Sequence, residues 1–460
     1  MNSPFGAALY ATEYANMPII TNRIKPFFAF LFAGASLLVL LSGQSFGQNS
    51  SSPKNKVGSP QAKKGLTPEE RAVEKQKSQQ LQNETAMKRR QNFGALPPDD
   101  NSEIGKKYQE ALNQFREAAV DLNHVQLSFH LTEDYSQANR NKVAMEWQET
   151  IQKSHRAKVN WLKVAGEIYA STPDKYETIG ETLCEMLLAD VELDRTDGWL
   201  EPTKAIVNSK KFEREELLRA AGLIGYANSD FDFTEECLTR AQLFHPDEPQ
   251  SQFMAEIVQV REKWKRELEI RQREAEKNDN PRIEFNTTKG RIVMELYEDS
   301  APEAVKSFIY LVQNGFFSRK TFFRVEKHVC AQTGCEKGDG TGDAGYIIPS
   351  DVNNPNRRDH FRGAMAVALG TNATTGQSLP DSGSSQFYFS FLPMPQLDGK
   401  YTVFGRIVEG QEVISFFRVM NLGEESQRKE GKEADLIISA KVLRKRDTIY
   451  RPRILAGKLK

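Results

Sequence analysis

Cysteine is scarce in this sequence, and its scarcity excludes two kinds of stabilisation. Four cysteines, Cys184, Cys237, Cys330 and Cys335, are spread over 460 residues, which is too few for a disulfide framework. No two of them have the C-x-x-C spacing of zinc ligands, so we expect no structural metal. Cys330 and Cys335 could form a disulfide in an oxidising compartment or remain two buried thiols, and the sequence leaves both alternatives open.

The sequence also lacks net charge. Lys+Arg and Asp+Glu number 62 each, so no overall electrostatic field attracts nucleic acid or an anionic membrane. We therefore expect no nucleic-acid partner, and membrane contact only if the N-terminal segment stays attached. With 39% apolar and 10% aromatic residues, the chain can bury at least one large core, and its length suggests about three units.

One long apolar run is present, near the N-terminus. Arg23 and Lys25 precede Phe27 to Leu41, a run of about 15 residues followed by small and polar residues, which is typical of a secretory signal peptide. The run is shorter than the roughly 20 residues of a membrane span, although an uncleaved anchor would look similar. We therefore predict residues 1–47 to be a signal peptide or N-terminal anchor, and the rest of the chain to be periplasmic or otherwise extracytoplasmic.

Residues 48–100 contain mostly Lys, Gln, Ser, Glu and Pro and few aromatic residues. Such a segment cannot bury enough apolar surface to offset the entropy lost on ordering. We predict a disordered, basic and polar linker.

Residues 101–279 show the periodicity of helices. One predicted helix face carries Tyr108, Leu112, Phe115, Ala119 and Leu122. From Leu217 to Pro249, two helices around the turn Asn228 to Asp230 have a spacing that resembles a tetratricopeptide repeat. A second repeat matches poorly, so an irregular helical bundle is an equal alternative, and either could bind a partner protein or peptide. The charged run Val260 to Asp279 predicts a solvated helical spacer.

Beyond these helices the apolar residues alternate as in strands. Ile283 to Tyr297 predicts a β-hairpin. Ser300 and Glu303 predict a capping box at the start of a helix, and a second short helix is predicted near Gly410 to Val419. Strand-like runs and glycine-rich loops fill the rest. This composition favours a mainly antiparallel sheet closed into a small barrel.

Several motifs in this part of the chain occur in a fixed order. TFFRV, GDGTG, HFRGAMAVA, GSSQFYFS and LDGKYTVFGRIVEG follow the hairpin and a helix that ends in NGFF. Together they resemble the cyclophilin family of peptidyl-prolyl cis-trans isomerases from Ile283 to Arg446, about a third of the chain. The resemblance implies an eight-stranded barrel capped by two helices, with a substrate groove on its outside. The predicted architecture is multidomain: an all-α, repeat-like middle segment, a cyclophilin-like barrel at 280–446 and a basic tail at 447–460.

The resemblance also implies a reaction, the isomerisation of X-Pro bonds in proline-containing polypeptides. Amide resonance opposes this rotation with a barrier of about 18–20 kcal/mol. Arg324 matches the family's catalytic arginine, which would donate to the proline nitrogen as the bond twists. Gln332 and Gln386 match two glutamines of the groove, the second of which binds substrate backbone. No cofactor or metal is expected, and His328 and His360 lie at neither metal-ligand nor triad spacing, so structural or surface roles are predicted for them.

The predicted substrate pocket departs from the family pattern. Its residues are Phe323, Val329, Cys330, Ala368, Leu369, Tyr388, Gln396, Leu397 and Tyr401. Val329 and Cys330 replace a phenylalanine and a methionine, Gln396 a tryptophan, Leu369 an asparagine and Tyr388 a phenylalanine. Each loss of a buried aromatic removes contact worth on the order of 1 kcal/mol. Two functions therefore stay open: an exported isomerase, with reduced or altered activity, that assists folding or remodelling of envelope or secreted proteins, and a non-catalytic scaffold that binds proline peptides.

Overall fold

The structure is a computed structural model, and it describes residues 93–97, 100–131, 137–246, 252–372, 374–375, 377–424, 427 and 433–459. The predicted signal peptide or anchor at 1–47 and nearly all of the predicted linker at 48–100 lie outside the described residues. Within the described ranges, no helix is both long and apolar enough to cross a bilayer.

Residues 101–279 form the helical segment, as the periodicity predicts. Its helices are α1 (Glu103–Leu131), α2 (Gln137–Ser171), α3 (Glu177–Val191), α4 (Leu200–Ser209), α5 (Glu215–Ala227), α6 (Phe231–Gln242) and α7 (Gln252–Lys277). Trp161 of α2 is fully buried and stacks on Phe115 of α1, with ring centroids 5.3 Å apart. Tyr108, Leu112 and Ala119 of the predicted α1 face are buried as well, so this face forms the core of the segment.

Helices α5 and α6 form the hairpin that the sequence places around Asn228 to Asp230. The Asp230 side chain caps α6 by accepting a hydrogen bond from the Phe233 N–H at 3.1 Å. Gly222 of α5 allows close packing, because a Cβ there would lie 3.0 Å from Leu238 of α6. The likeness to a tetratricopeptide repeat stays a prediction.

Helix α7 corrects the prediction of a solvated spacer, because one of its faces is buried. Ile257 lies in the core of the helical segment. One to two turns further on, Trp264 packs on Phe361 of the following domain, with ring centroids 4.7 Å apart. Glu267 on the same face is 4% exposed and pairs with Arg358. The helix therefore joins the two domains through side-chain contacts as well as through the chain.

The second domain is a curled antiparallel sheet. Its strands are β1 (Arg282–Thr287), β2 (Gly290–Leu296), β3 (Arg324–Glu326), β4 (Cys330–Thr333), β5 (Tyr346–Ile347), β6 (Ala364–Val367), β7 (Phe387–Ser390), β8 (Val403–Glu409), β9 (Met420–Asn421), β10 (Ile437–Arg444) and β11 (Ala456–Gly457). Among the described residues, nine strands form one sheet in the order β10-β1-β2-β8-β6-β7-β4-β3-β9. This confirms the predicted fold class of a helical segment followed by an antiparallel barrel.

Backbone hydrogen bonds close the barrel by joining the segment before β3 to the start of β10. Arg319 N–H donates to the Ile437 carbonyl at 2.7 Å, Phe322 N–H to the Asp435 carbonyl at 2.8 Å, and Ile437 N–H to the Lys320 carbonyl at 2.9 Å. The interior is filled by aromatic side chains that contact one another, among them Phe285, Phe308, Phe317, Phe387, Phe389 and Phe404. Because these side chains fill the interior, a substrate groove has to lie on the outer face of the barrel.

Helix α8 (Pro302–Gln313) packs on the barrel, but the predicted capping box at its start is wrong. Ala301 is the residue before the helix, and no side chain caps it from that position. The carboxylate of Asp351 accepts hydrogen bonds from the N–H groups of Glu303 and Ala304 instead, at 3.0–3.4 Å. With Pro302 as the first residue, the exposed N–H groups begin one position later, where a distant carboxylate reaches them.

Two further segments differ in detail from the sequence prediction. The second short helix is a 3-10 helix, Gln411–Phe416. The segment 447–460 is predicted to be a basic tail, but its described residues, 447–459, contact the barrel: Tyr450 is 5% exposed, and β11 pairs with β5.

Candidate active site

Four residues form a row across four neighbouring strands on the outer face of the barrel. Arg324 of β3 lies opposite Gln332 of β4, which lies opposite Tyr388 of β7, which in turn lies opposite Ala366 of β6. Residues directly opposite in an antiparallel sheet share one face. The sheet therefore brings the predicted catalytic arginine, a predicted glutamine and the predicted pocket floor side by side.

The Arg324 guanidinium is held by two neighbours. Its Nε and Nη2 donate to the two carboxylate oxygens of Glu326 at 2.9 and 2.8 Å, and its Nη1 donates to Gln332 Oε1 at 3.2 Å. A guanidinium has five N–H donors, so contacts with the described residues leave two for a bound peptide. Burial opposes the charge, but the pKa of Arg324 is raised because the negative charges of its neighbours favour the cation: that of Cys330 once its thiol ionises in alkali, and that of the hydrogen-bonded Glu326 carboxylate already at neutral pH. The group is a fixed, permanent cation.

Hydrogen bonds continue from the arginine through both predicted glutamines. Gln332 Nε2 donates to Gln386 Oε1 at 3.0 Å, and Gln386 Nε2 donates to the carbonyls of Gly340 and Gly342 at 2.9 and 2.8 Å. Gln386 therefore fixes the glycine-rich loop beside the groove. Its Oε1 keeps one acceptor site with which it can bind substrate backbone, its predicted role, whereas donation from Nε2 would require the exchange of one of these bonds.

The pocket is a separate apolar cluster on the outer face. Tyr388 and Cys330 are buried in it, and its partly buried members are Val329, Ala368, Leu397 and Tyr401. The rings of Tyr388 and Tyr401 meet edge to face with centroids 6.2 Å apart. Burial raises the pKa of Cys330 to about 11, so this residue is a neutral thiol. Cys330 and Cys335 are both free.

Three predicted pocket residues lie outside this cluster. Leu369 packs against the interior core of the barrel. Phe323 lies close to Gly340, whose hypothetical Cβ would be 3.1 Å from its ring. Gln396 is exposed on a 3-10 helix, Pro395–Leu397, at the edge of the groove.

The sequence interpretation missed three polar residues at the site. Glu326 could have been found, because residues two apart on a strand share a face and Glu326 follows Arg324 by two. His360 and Asp398 could not, because they lie 38 residues apart in sequence. His360 is 2% exposed, and its Nε2 lies 3.0 Å from the Tyr388 hydroxyl oxygen while its Nδ1 lies 2.9 Å from Asp398 Oδ1.

The helical segment also contacts the hairpin that carries the arginine. The Asp194 carboxylate accepts a hydrogen bond from the His328 backbone N–H at 2.9 Å. His328 lies in the turn between β3 and β4 in the left-handed region, with φ +61°. Nearby, Arg362 forms a bidentate pair with Asp197 at 3.0 and 3.1 Å. The predicted structural role of His328 agrees with this anchoring of the turn.

The second domain is similar in sequence to several known proteins. The family model for the cyclophilin type peptidyl-prolyl cis-trans isomerase matches residues 282–442. A peptidyl-prolyl cis-trans isomerase of Helicobacter pylori is 39% identical over 128 residues, 28% of this chain and 72% of that protein. One from Synechococcus elongatus is 36% identical over 141 residues, 30% of this chain and 88% of that protein. Peptidyl-prolyl cis-trans isomerase B of Bacillus subtilis is 37% identical over 122 residues, 26% of this chain and 79% of that protein.

Two solved structures also match part of the chain. A cyclophilin type isomerase of Cryptosporidium parvum is 22% identical with a TM-score of 0.30, and the match covers 35% of this chain and 97% of that one. A cyclophilin from Hirschia baltica is 21% identical with a TM-score of 0.29, and the match covers 36% of this chain and 74% of that one.

Proposed function

We propose that this chain, which belongs to the cyclophilin-type peptidyl-prolyl cis-trans isomerase family, isomerises X-Pro bonds of polypeptides in the groove between Arg324 and the Tyr388 pocket, outside the cytoplasm. The enzyme class follows from the family. The observation that supports this site is the position of Arg324, with two N–H donors left beside an apolar cup on the same face of the sheet.

The chemistry follows from the physics of the amide bond. Rotation breaks resonance, so the proline nitrogen regains a lone pair and becomes a hydrogen-bond acceptor only in the twisted state. A guanidinium already fixed by Glu326 and Gln332 does not have to reorganise to meet that nitrogen. Donors placed in this way stabilise the twisted state more than the planar one, and the difference accelerates rotation.

The pocket supplies binding energy for the proline ring. Tyr388, Cys330 and Leu397 make it apolar, whereas Val329 and the outward Gln396 leave its walls small. We expect it to bind proline with moderate affinity and to tolerate varied neighbouring residues, because little of the peptide would be enclosed.

An isomerisation assay on the full chain with a panel of X-Pro peptides tests this proposal. Turnover faster than the spontaneous process, which takes tens of seconds, is expected. The second candidate, a non-catalytic proline-peptide scaffold, is favoured by the small pocket walls at Val329 and Gln396. Peptide binding without turnover would establish the scaffold instead.

Cyclosporin-type inhibitors, which in this family depend on the tryptophan that Gln396 replaces, are expected to bind weakly. Gln396 lies exposed at the groove edge, so Gln396→Trp can add apolar contact and should tighten binding at least about tenfold. Calorimetric titration of both proteins measures this. Gln114→Trp, on the exposed surface of α1, is the control and should change nothing. Tight binding by the unaltered chain would contradict the assignment of Gln396 to the tryptophan position.

The proposal includes export and a role in folding or remodelling envelope or secreted proteins, with the helical segment binding clients or a partner. It rests on the apolar run Phe27 to Leu41 and the small residues after it. We expect the mature protein to begin near Gln48. Mass analysis of the N-terminus from envelope fractions measures the cleavage site. An intact leader in washed membranes would show an anchor, and an intact leader in the cytoplasm would contradict export.

A further inference from the structure

A chain of polar contacts connects the helical segment to the floor of the proline pocket. Lys263 of α7 lies 2.6 Å from Asp398 Oδ2. Asp398 Oδ1 accepts from the His360 backbone N–H at 2.8 Å and contacts His360 Nδ1 at 2.9 Å. His360 Nε2 lies 3.0 Å from the Tyr388 hydroxyl. Each link joins different parts of the chain, so the contacts are a product of the tertiary fold.

The donors and acceptors along this chain can be assigned from chemistry. A carboxylate only accepts hydrogen bonds, so His360 Nδ1 carries a proton toward Asp398. In a neutral imidazole the other nitrogen, Nε2, is then an acceptor, and the Tyr388 hydroxyl donates to it. Burial raises the pKa of Tyr388 well above its usual value, so the hydroxyl keeps its proton.

The Asp398 carboxylate is a buried charge in contact with His360. The Asp398 side chain is 8% exposed, and the His360 side chain is fully buried. A buried carboxylate needs a cation, and Lys263 supplies it. Asp359 also lies near this pair, and burial together with the Asp398 charge raises the pKa of Asp359, whereas Lys263 and Arg266 oppose that rise. Without Lys263, the nearest group that can become the cation is His360 itself.

We propose that Lys263 is a positioning residue of the isomerase: by balancing Asp398 it keeps His360 neutral, so that the Tyr388 hydroxyl donates to His360 and not into the proline pocket. A protonated His360 would donate from Nε2, and the phenol hydrogen would have to turn toward the apolar cluster. A hydrogen-bond donor without a partner there opposes entry of a proline ring. The inference rests on the proposed function of the groove. It gives α7 a role in positioning the floor of the proline pocket.

A double-mutant cycle on the full chain tests this route. Lys263→Met is expected to lower kcat/KM for an X-Pro peptide about tenfold. In a Tyr388→Phe background the same change should lower it less than twofold, because phenylalanine has no hydroxyl to turn. Lys263→Arg keeps the charge and should retain kcat/KM. Lys265→Met is the matched control, because Lys265 is 62% exposed on the same helix and pairs only with Glu262 among the described residues.

The charge state of His360 gives a second measurement. With 15N-labelled histidine, we expect one protonated ring nitrogen in the unaltered chain and two in Lys263→Met at neutral pH. Equal losses of kcat/KM in both backgrounds, no loss in either, or an unchanged His360 charge state would overturn the proposal. If the unaltered chain has no turnover, the proposed function fails; peptide dissociation constants of the same variants and the 15N spectra still decide the role of Lys263. Melting temperatures establish that each variant is folded.

Discussion

Arg324→Ala is expected to lower kcat and kcat/KM together, by about 10²–10³-fold, while the protein stays folded. The guanidinium would meet the proline nitrogen only when the imide twists, so its removal affects the transition state more than ground-state binding. Its polar contacts in the structure are with Glu326, whose side chain is 39% exposed, and with Gln332. Neither belongs to the barrel core. Kinetics with an X-Pro peptide, together with the far-UV spectrum and melting temperature, measure both expectations.

Arg324→Lys is the stricter comparison. Lysine keeps the charge and can still pair with Glu326, but one ammonium cannot contact two carboxylate oxygens, Gln332 and the substrate in a planar fork. Little of the lost activity should return. An Arg324→Ala protein that unfolds, or that isomerises at the original rate, would show that the arginine has a structural role and that the site assignment is wrong.

The fold of the second domain could be predicted because its signals are local. Alternating apolar residues identify β1 and β2 as strands. The motifs that follow are recognisable by their order and spacing in the sequence. The start of α8 was predicted incorrectly for a related reason. Its N–H groups bond to Asp351, about 50 residues away in sequence, and no local pattern contains that contact.

The site could be predicted in part. Arg324, Gln332 and Tyr388 follow from motifs, and cross-strand pairing aligns them in one row. The environment of each residue could not be predicted, because it depends on other elements of the fold. In most helices a charged face such as that of α7 is exposed to solvent. Here the residues opposite it are Arg358 and Asp398, which come 91 residues or more after their partners Glu267 and Lys263.

Arg358→Met is expected to lower the free energy of unfolding by about 3 kcal/mol, the lower end of the range for breaking a buried ion pair. The Arg358 side chain is fully buried, donates to both oxygens of Glu267 at 2.6 and 2.7 Å, and lies 3.8 Å from the centre of the Tyr297 ring. Its loss leaves the buried Glu267 carboxylate without the two hydrogen bonds from Arg358. Arg271 still donates to it at 2.6 Å, and this remaining partner limits the cost. Urea unfolding followed by circular dichroism measures the change.

The second partner and pH separate this cause from a simple loss of packing. Replacing both residues by methionine should recover part of the stability, because the buried Glu267 carboxylate is removed together with its partner. Glu274 and Arg271 also lose a partner in the double variant, but their side chains are 18% and 21% exposed, so solvent reduces that cost. Burial opposes ionisation of Glu267, but the bonds from Arg358 and Arg271 outweigh it and hold the pKa of Glu267 below its usual value. The contribution of the pair is therefore present above the unfolded-state pKa, about 4.3, and is lost as pH falls through the lower folded-state value. The difference in the free energy of unfolding between Arg358→Met and the unaltered chain should shrink over that pH window.

Arg357→Ala is the control. Arg357 is one residue away and exposed, and its replacement should change the free energy of unfolding by less than about 0.5 kcal/mol. A double variant as unstable as Arg358→Met alone would show that the arginine stabilises the domain junction by packing on Tyr297, with its charge contributing little.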